Sequence, residues 1–264
     1  MPTFATWNVN SIKARLPIVA DWIKSFSPDV VMLQEIKCQD GDFPEFEFKA
    51  LGYEVLVHGQ KSYNGVAILS RIGIADPVIG LPEHDGPPQS RYVEATVGGR
   101  WRVASIYLPN GNPVADAGGG LSEKFGYKLA WMECLAAHAK RLLAADRPTL
   151  LGGDFNIIPQ PVDCWDPKVW EGDALMRPES RSRFHAIVNQ GWTDTTRALN
   201  PHPGLYSFWD YQAGAWQKNH GIRIDFLLAS AEAADALLAA GVDSAPRGKE
   251  KASDHAPVWC RLAG

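Results

Sequence analysis

The sequence predicts an α+β fold in which helices alternate with the strands of a mainly antiparallel sheet, and three observations support this prediction. Short apolar segments alternate with amphipathic segments along all 264 residues, and no Ser/Pro-rich linker separates them. Two strand-like segments flank Gly98-Gly99, a two-residue loop typical of a tight hairpin. Hydrophobic residues make up 45% and charged residues 21%, which excludes a disordered, collagen-like or coiled-coil chain. The length would allow two small domains, but we expect one domain spanning residues 1–264.

The first part of the chain predicts four strands and one helix. These elements are strand 3–9, helix 17–26, strand 29–35, and the strand pair 53–58 and 65–70. Pro17 fits the first turn of the helix, and Ile18, Trp22 and Phe26 recur four residues apart on one face. The strand over 29–35 is apolar and ends in a carboxylate, Glu35.

The remaining elements alternate in the same way. They are hairpin strands 90–97 and 100–108, helix 121–145, strand 148–153, helix 181–190, strand 222–229, helix 231–240 and strand 256–262. Ser122 is a candidate cap of the longest helix. Residues 109–120 are rich in Gly, Pro and Asn and predict a loop, as do residues 201–221, which carry five aromatic side chains.

Charge and cysteine content limit the function classes. With 26 basic and 30 acidic residues, the formal charge of −4 argues against a highly basic, nonspecific nucleic-acid binder. It excludes neither a local basic face nor a site in which a divalent cation supplies the positive charge. The four cysteines are scattered, so neither a zinc site nor a disulfide framework is predicted. Without a signal-peptide pattern or a membrane-spanning apolar run, we expect a soluble, cytoplasmic protein.

Several common catalytic motifs are absent from the sequence. It contains no GxxxxGK[ST] phosphate loop, no GxGxxG after a strand, no HExxH and no GxSxG elbow. Nucleotide hydrolysis by a phosphate loop, Rossmann redox chemistry, zinc proteolysis and serine hydrolysis therefore lack their usual signatures.

Carboxylates and amides instead end or interrupt the apolar strands. These polar residues are Asn8, Glu35, Tyr107, Asn110, Asp154, Asn156, Asp225, Asp254 and His255. A buried charge costs several kcal/mol unless it is paired or bound to a metal, and strand ends tolerate such groups. If several of them converge, they could form a divalent-metal site that acts on phosphodiesters.

Each of these residues also has a purely structural explanation. Glu35 could be a solvated strand end, the GDxN segment an Asx turn, and Ser253 a turn cap in SDH. Asp225 is flanked by apolar residues and needs a partner, for which His255 is the obvious candidate, although a structural buried pair is an alternative. The functional interpretation depends on the occurrence of all these features in one chain.

The motifs, taken in order, resemble the exonuclease III family of abasic-site endonucleases, within the endonuclease–exonuclease–phosphatase superfamily. The segments that carry the resemblance are WNVNSIKAR, LQEIK, HGQKSYNGVAILS, IYLPNGN, LLGGDFNIIP, YSFWDY, GIRIDFLLAS and SDHAPVW. They extend from Thr6 to Trp259. QE, GDxN and SDH indicate only the superfamily, whereas HGQK with YNGVAIL, YSFWDY and RIDFLLAS favour the DNA-repair branch.

The resemblance implies a four-layer α/β-sandwich like that of deoxyribonuclease I, with two packed β-sheets flanked by helices and the site at one edge. Glu35 resembles the principal ligand of Mg²⁺ or Mn²⁺, with Asn8 beside it and Asp254 as a further contributor. Oxygen ligands of this kind suit such hard cations.

The resemblance also implies roles in hydrolysis. Asp154 and Asn156 match the residues that position or deprotonate the attacking water, and His255, paired with Asp225, matches the imidazole that contacts the scissile phosphate. The sequence is compatible with two roles for Asp154, as the base or as the acid that protonates the leaving group. The resemblance places Tyr107 and Asn110 at phosphate-contacting positions, with Arg91 supporting the site.

A pocket for a flipped abasic sugar is implied as well. Its positions are matched by Phe208, Trp209, Ile222 and Ile224, and an apolar pocket suits a sugar without a base. The alternative is that the aromatic residues are ordinary core. The candidate contacts with the DNA backbone are Lys37, Lys61, Arg247, Lys249 and Lys251, which could equally be solvated surface charges. Ile222 is aliphatic where some relatives place an aromatic residue, and segment 110–120 matches no family pattern.

The implied function is Mg²⁺-dependent hydrolysis 5′ to an abasic site in double-stranded DNA, with activity at 3′ ends. We expect a monomer that does not bind membranes. Two alternatives are a superfamily member acting on phosphoinositide, sphingomyelin or RNA, and a catalytically inactive DNA-binding relative. YSFWDY and RIDFLLAS disfavour the first, and the presence of Glu35, Asp154 and His255 disfavours the second.

Overall fold

The computed structural model describes residues 1–264 and consists of two six-stranded β-sheets packed face to face, with helices on their outer faces. The strands are β1 (Thr3–Asn8), β2 (Val30–Gln34), β3 (Glu54–His58), β4 (Val66–Ser70), β5 (Ile74–Ile79), β6 (Tyr92–Val97), β7 (Trp101–Tyr107), β8 (Thr149–Asp154), β9 (Thr193–Asp194), β10 (Asp225–Ala229), β11 (Leu237–Val242) and β12 (Val258–Leu262). The helices are α1 (Ile12–Phe26), α2 (Glu45–Lys49), α3 (Glu123–Ala144), α4 (Pro178–Val188), α5 (Thr195–Leu199), α6 (Ala215–Lys218) and α7 (Ala231–Ala234).

Both sheets are mixed but mainly antiparallel. The first sheet has the strand order β11-β12-β1-β2-β4-β3, and the second has the order β5-β6-β7-β8-β10-β9. Each contains one parallel pair, β1 with β2 and β7 with β8, while all other pairs are antiparallel. The α+β class and the mainly antiparallel pairing are therefore confirmed.

Three layers of core hold the sandwich together. Phe4, Met32 and Val103 belong to a 17-residue cluster between the two sheets. A second cluster packs α3 and α4 against the second sheet, and a third packs α1 and α2 against the first sheet. The order helix, sheet, sheet, helix is the four-layer sandwich that the family resemblance implied.

The first helix begins earlier than the sequence pattern predicted. Helix α1 starts at Ile12, where the Ser11 hydroxyl accepts a hydrogen bond from the backbone N–H of Ala14 at 3.4 Å. Pro17 therefore lies inside the helix rather than in its first turn. It is tolerated because Pro17 and Lys13, whose carbonyl loses its helical partner, are both on the exposed face.

The predicted helix over 231–240 is wrong. Only Ala231–Ala234 is helical, and Leu237–Val242 forms the edge strand β11 paired with β12. The alanines favour a helix, but the ladder of hydrogen bonds to β12 determines the local structure. Strands β5 and β9 were not predicted at all.

Two local predictions are confirmed by the structure. The hydroxyl of Ser122 accepts a hydrogen bond from the N–H of Phe125 at 3.1 Å and caps α3. Gly98 and Gly99 have φ values of +59° and +65°, as a two-residue hairpin turn of this hand requires. No helix is both long and apolar enough to cross a bilayer.

Candidate active site

The polar residues singled out in the sequence meet at one edge of the sandwich because of the strand registers. Tyr107 is paired with Asp154 in the parallel ladder of β7 and β8, and Asp154 is paired with Asp225 in the ladder of β8 and β10. These three residues therefore form one row across the second sheet. Asn8 ends β1 beside Gln34 in the first sheet.

A buried amide joins the two sheets at this edge. The side-chain nitrogen Nδ2 of Asn8 donates to Oε1 of Glu35 at 3.0 Å and to Oδ2 of Asp154 at 2.9 Å. Its oxygen Oδ1 accepts from the backbone N–H of Asn10 at 3.0 Å. Asn8 is fully buried and thus holds the two carboxylates in place from behind.

Glu35 is held from the other side by Lys37. The Lys37 ammonium lies 2.8 Å from Oε2 of Glu35 and 2.5 Å from Oδ1 of Asn10. Glu35 and Lys37 have φ values of +48° and +53°, a backbone conformation that side chains rarely adopt. Burial raises the pKa of Glu35, but the charge of Lys37 and the hydrogen bond from Asn8 outweigh it, so the pKa is lowered overall.

His255 is oriented by Asp225, as predicted. Nδ1 of His255 lies 2.8 Å from Oδ2 of Asp225, and the same oxygen accepts from the hydroxyl of Ser207 at 2.6 Å. Nε2 of His255 lies 3.8 Å from Oδ2 of Asp154. The other oxygen of Asp225, Oδ1, is buried without a hydrogen-bond partner.

Ser253 attaches the SDH segment to the first strand. Its hydroxyl donates to the carbonyl of Asn8 at 2.7 Å and accepts from the backbone N–H of His255 at 3.2 Å. The indole of Trp7 donates to the carbonyl of His255 at 3.0 Å. These bonds fix His255 relative to β1, so Ser253 has a structural role beside the charged residues.

The pKa shifts follow from this packing. Burial raises the pKa of Asp154 to about 7, and the charge of Asp225 acts in the same direction, whereas His255 opposes it. Burial lowers the pKa of His255, but Asp225 and Asp154 outweigh it and raise the pKa to about 10, so the imidazole is cationic at neutral pH. Burial, together with the charges of Glu35 and Asp154, raises the pKa of Tyr107 well above its usual value, and its hydroxyl keeps its proton.

A cavity of about 280 Å³ opens beside these groups and has two chemically different walls. The polar wall is formed by Glu35, Tyr107, Asn110, Asn112, Asp154, Asn156, Asp173, Asp210, Asp254 and His255. The apolar wall is formed by Trp170, Leu175, Phe208, Ile222 and Ile224. Five carboxylates thus face one cavity that is lined by no lysine or arginine.

This donor set fits a divalent cation. Carboxylate and amide oxygens are the ligands preferred by hard cations, and a cation would balance the negative charge of the cavity. Ligand atoms of Asp154, Asp225 and His255 also lie within 4.8 Å of one another, but the cationic imidazole carries a proton on each ring nitrogen and offers no lone pair to a metal.

Two predicted residues lie elsewhere than expected. Trp209 does not line the cavity, because its ring packs against Tyr206 and Trp216 behind the cavity wall, and its indole N–H donates to Asn219 at 3.0 Å. Arg247 is buried and donates to the carbonyl of Trp209 at 2.9 Å, so its guanidinium is not free for DNA.

The other predicted basic residues do not line the cavity. The guanidinium of Arg91 lies 4.8 Å from the centre of the Tyr107 ring and donates to the carbonyl of Tyr107 at 3.3 Å. Lys61 and Lys251 are exposed, as is Lys249. Arg91 therefore supports Tyr107, and the three lysines are exposed to solvent.

Sequence reasoning missed part of the cavity wall. The missed lining residues are Asn112, Trp170, Asp173, Leu175 and Asp210. All five lie outside the regular strands, so no periodic pattern indicated them. Local signals did exist, because Asn112 lies in the segment IYLPNGN, Asp210 lies in YSFWDY, and the apolar Leu175 stands in a polar loop.

Comparisons with known proteins agree with this geometry. The sequence profile of the Endonuclease/Exonuclease/phosphatase family matches residues 5–255. Exodeoxyribonuclease III of Haemophilus influenzae is 32% identical, covering 98% of this chain and 99% of its own length. The structure of an AP endonuclease from Archaeoglobus fulgidus has a TM-score of 0.92 and 33% identity, covering 99% of both chains. The structure of a 3′ phosphatase from Neisseria bound to a product DNA hairpin has a TM-score of 0.93 and 36% identity, covering 100% of both chains.

Proposed function

The chain belongs to the endonuclease/exonuclease/phosphatase family, and we propose that it is a divalent-metal-dependent DNA repair hydrolase. Its main reaction is hydrolysis of the phosphodiester 5′ to an abasic site, which leaves a 3′-hydroxyl. Exonuclease cleavage in the 3′→5′ direction and cleaning of 3′ ends use the same residues. Relatives named exodeoxyribonuclease III, AP endonuclease and 3′ phosphatase support this range of reactions.

The observation that carries the proposal is the two-walled cavity. Its polar wall offers groups that contact a phosphate, and its apolar wall of Phe208, Ile222 and Ile224 suits a sugar that has lost its base. A missing base also lowers the energy needed to extrude the nucleotide from the duplex. Double-stranded DNA with abasic sites or 3′ ends is therefore the proposed substrate.

We propose Mg²⁺ or Mn²⁺ as the cofactor, with Glu35 and Asp254 as the residues that hold it. Such a cation supplies charge neutralisation at the phosphate and the leaving oxygen. Asn8 supports this assignment by fixing Glu35 at 3.0 Å, while its own Oδ1 is engaged by the N–H of Asn10. The ammonium of Lys37 contacts the other carboxylate oxygen of Glu35 at 2.8 Å, and Nδ2 of Asn10 donates to Oδ1 of Asp254 at 3.1 Å.

The protein's own residues position the water and the phosphate. Asp154 orients and deprotonates the attacking water, with Asn156 beside it, because both face the cavity. His255, held cationic by Asp225, donates from Nε2 to a phosphate oxygen. Tyr107 and Asn110 supply further neutral donors to the phosphate, and these donors are in place before the reaction.

We also propose that the protein acts as a monomer in the cytoplasm. The four cysteines are unpaired, which supports a reducing compartment.

The test of the function is incubation with a duplex that carries one abasic analogue. Cleavage on its 5′ side with Mg²⁺, and none with EDTA, is expected. Intact DNA in both conditions at high enzyme concentration would refute the proposal. An undamaged duplex with recessed 3′ ends measures the exonuclease reaction in parallel.

Asp154→Asn tests the role of the central carboxylate. We expect cleavage to fall by about a hundredfold or more, because proton transfer to Asp154 is lost, while DNA binding is largely retained. Asp235→Asn, an exposed carboxylate outside the cavity, is the matched control and should cleave normally. Equal losses of binding and cleavage in Asp154→Asn would indicate a structural role instead.

A further inference from the structure

A lysine is completely buried beneath the floor of the candidate site. Lys128 lies on α3 with 0% of its surface exposed, and it has no carboxylate partner within ion-pair distance. Its ammonium donates instead to three backbone carbonyls, those of Asn110 at 2.9 Å, Asn156 at 2.7 Å and Ala174 at 3.3 Å. An ammonium has three N–H donors, so all three have acceptors.

The three carbonyls belong to three separate segments that each carry cavity residues. Asn110 follows β7, Asn156 follows β8, and Ala174 lies between Asp173 and Leu175 in the loop before α4. Lys128 is therefore the point at which these segments meet below the cavity.

The side chains above Lys128 form a second set of links between the same segments. Nδ2 of Asn110 donates to Oδ1 of Asn156 at 3.1 Å, and Nδ2 of Asn156 donates to the carbonyl of Leu108 at 2.9 Å. The backbone N–H of Asn156 donates to Oδ1 of Asp154 at 2.9 Å. A shift of the Asn156 backbone would therefore move both Asn110 and Asp154.

The backbone at these positions needs an external constraint. Asn156 has a φ of +48°, a conformation that is costly for a residue with a side chain. Gly111 has a φ of +89°, and a Cβ atom placed on it would lie 2.5 Å from Cδ of Lys128. The loop after β7 thus packs directly on the lysine stem, with space only for glycine.

Burial of this cation is costly, and an apolar residue of the same volume would pack there at less cost. Burial lowers the pKa of Lys128 to about 7, although the charges of Asp173 and Asp154 act in the opposite direction. An apolar residue, however, could not donate hydrogen bonds to the three carbonyls.

We propose that Lys128 is a positioning residue for the hydrolytic reaction, acting by fixing Asn110 and Asn156 relative to Asp154. This inference rests on the proposed function. It predicts a loss in the chemical step rather than in substrate binding, because Lys128 lines no surface that DNA can touch. Small displacements of positioned groups are enough to reduce the rate by one to two orders of magnitude.

The test is Lys128→Met, which keeps the length of the side chain and removes its donors. We expect kcat on the abasic duplex to fall about tenfold to a hundredfold, with KM within about threefold of wild type. Lys128→Arg, which restores donors, should recover part of kcat. Lys140→Met, the same change at an exposed position of α3, should have no effect.

Leu135→Ala separates positioning from stability. Leu135 is a buried, apolar α3 residue that makes none of the hydrogen bonds holding Asn110 and Asn156, so the variant should lower Tm and leave kcat, assayed below Tm, near the wild-type value. If Lys128→Met does not fold, Lys128→Gln replaces it, since an amide has only two N–H donors for three carbonyls and kcat should still fall. A wild-type kcat in these Lys128 variants would overturn the positioning role of Lys128. A fall of kcat in Leu135→Ala as large as that in Lys128→Met would do the same. Neither result would affect the proposed function. An inactive wild-type protein would overturn the proposed function and this inference together.

Discussion

At the scale of single residues, buried charges in this protein are stabilised by several hydrogen bonds each. Glu94 on β6 is the clearest example away from the candidate site. Its carboxylate is contacted by Arg102, His138 and Tyr92, with Nε of Arg102 at 3.2 Å and Nε2 of His138 at 2.8 Å. Burial alone raises the pKa of Glu94, but these three hydrogen bonds outweigh it and lower the pKa to about 2.

The low pKa of Glu94 predicts a specific pH dependence of stability. Because the folded-state pKa lies below that of the unfolded chain, the stabilisation is present above pH about 4.5 and is lost as the pH falls towards 2. Glu94→Gln should lower the free energy of unfolding by about 3 kcal/mol at pH 7, and the difference from wild type should narrow as the pH falls. Denaturant unfolding at pH 7, 5 and 3 measures this difference.

Glu83→Gln is the control for that experiment. Glu83 pairs with Arg141 at 2.9 Å, but both side chains are largely exposed, so the pair should contribute little at any pH. If the difference in the free energy of unfolding between wild type and Glu94→Gln did not vary with pH, it would contradict the low pKa of Glu94.

Much of the candidate site was predictable because its residues interrupt apolar strands. Asp225 stands among buried residues of β10, and its need for a partner identified His255 correctly. Asp173 and Asn112 were missed because they lie on irregular loops and meet only in the folded chain, where Asn112 donates to Asp173 at 3.1 Å. Lys128 was missed because lysine at a helical position normally indicates an exposed face.

At the scale of secondary structure elements, the strands that were not predicted, β5, β9 and β11, all lie at sheet edges. The pattern over 231–240 is typical of a helix, and only the neighbouring β12 converts Leu237–Val242 into a strand. Strand β5 was overlooked because it lies at a sheet edge with mostly exposed residues and Pro77 within it. Elements with a buried face, such as α3 and the hairpin, were predicted well because burial imposes a period.

The two glycines of β8 give a prediction about packing between elements. A Cβ on Gly153 would lie 1.9 Å from the backbone oxygen of Ile106 in β7, whereas one on Gly152 would meet the flexible thioether of Met32 at 2.7 Å. Gly153→Ala should therefore lower the free energy of unfolding by about 3 kcal/mol or more, and Gly152→Ala by about 1 kcal/mol.

Equilibrium denaturation of both variants measures this contrast between the same substitution at adjacent positions. Gly41→Ala is the control, because a Cβ at Gly41 has no atom within 4 Å and the stability should be almost unchanged. Equal losses in Gly152→Ala and Gly153→Ala would show that β7 and β8 separate easily, contrary to the prediction.

At the scale of the whole molecule, part of the excess of acidic over basic residues is located at the candidate site. The chain carries a charge of −4, and five of its 30 acidic residues line one cavity without a lysine or arginine among them. Asn8 from the first sheet and Asp154 from the second meet at 2.9 Å, so the packing of the two sheets concentrates this charge at one edge. Phosphate approaches such a site only if a cation offsets the repulsion.

This charge distribution predicts how the protein binds DNA. In the Asp154→Asn variant, in which cleavage should be slow compared with a binding measurement, affinity for an abasic duplex should rise roughly tenfold when EDTA is replaced by Mg²⁺, because the cation removes the repulsion between the cavity and the phosphate. The dependence of affinity on salt should be shallow, with a log–log slope weaker than about −4, because few lysines and arginines neutralise phosphates. Fluorescence anisotropy over a series of KCl concentrations measures both quantities.

Adding Glu35→Gln to that variant should abolish the increase of DNA affinity caused by Mg²⁺ while leaving the salt slope unchanged. Equal affinity in EDTA and Mg²⁺, or a steep salt slope, would show that surface lysines rather than the cation-filled cavity dominate binding.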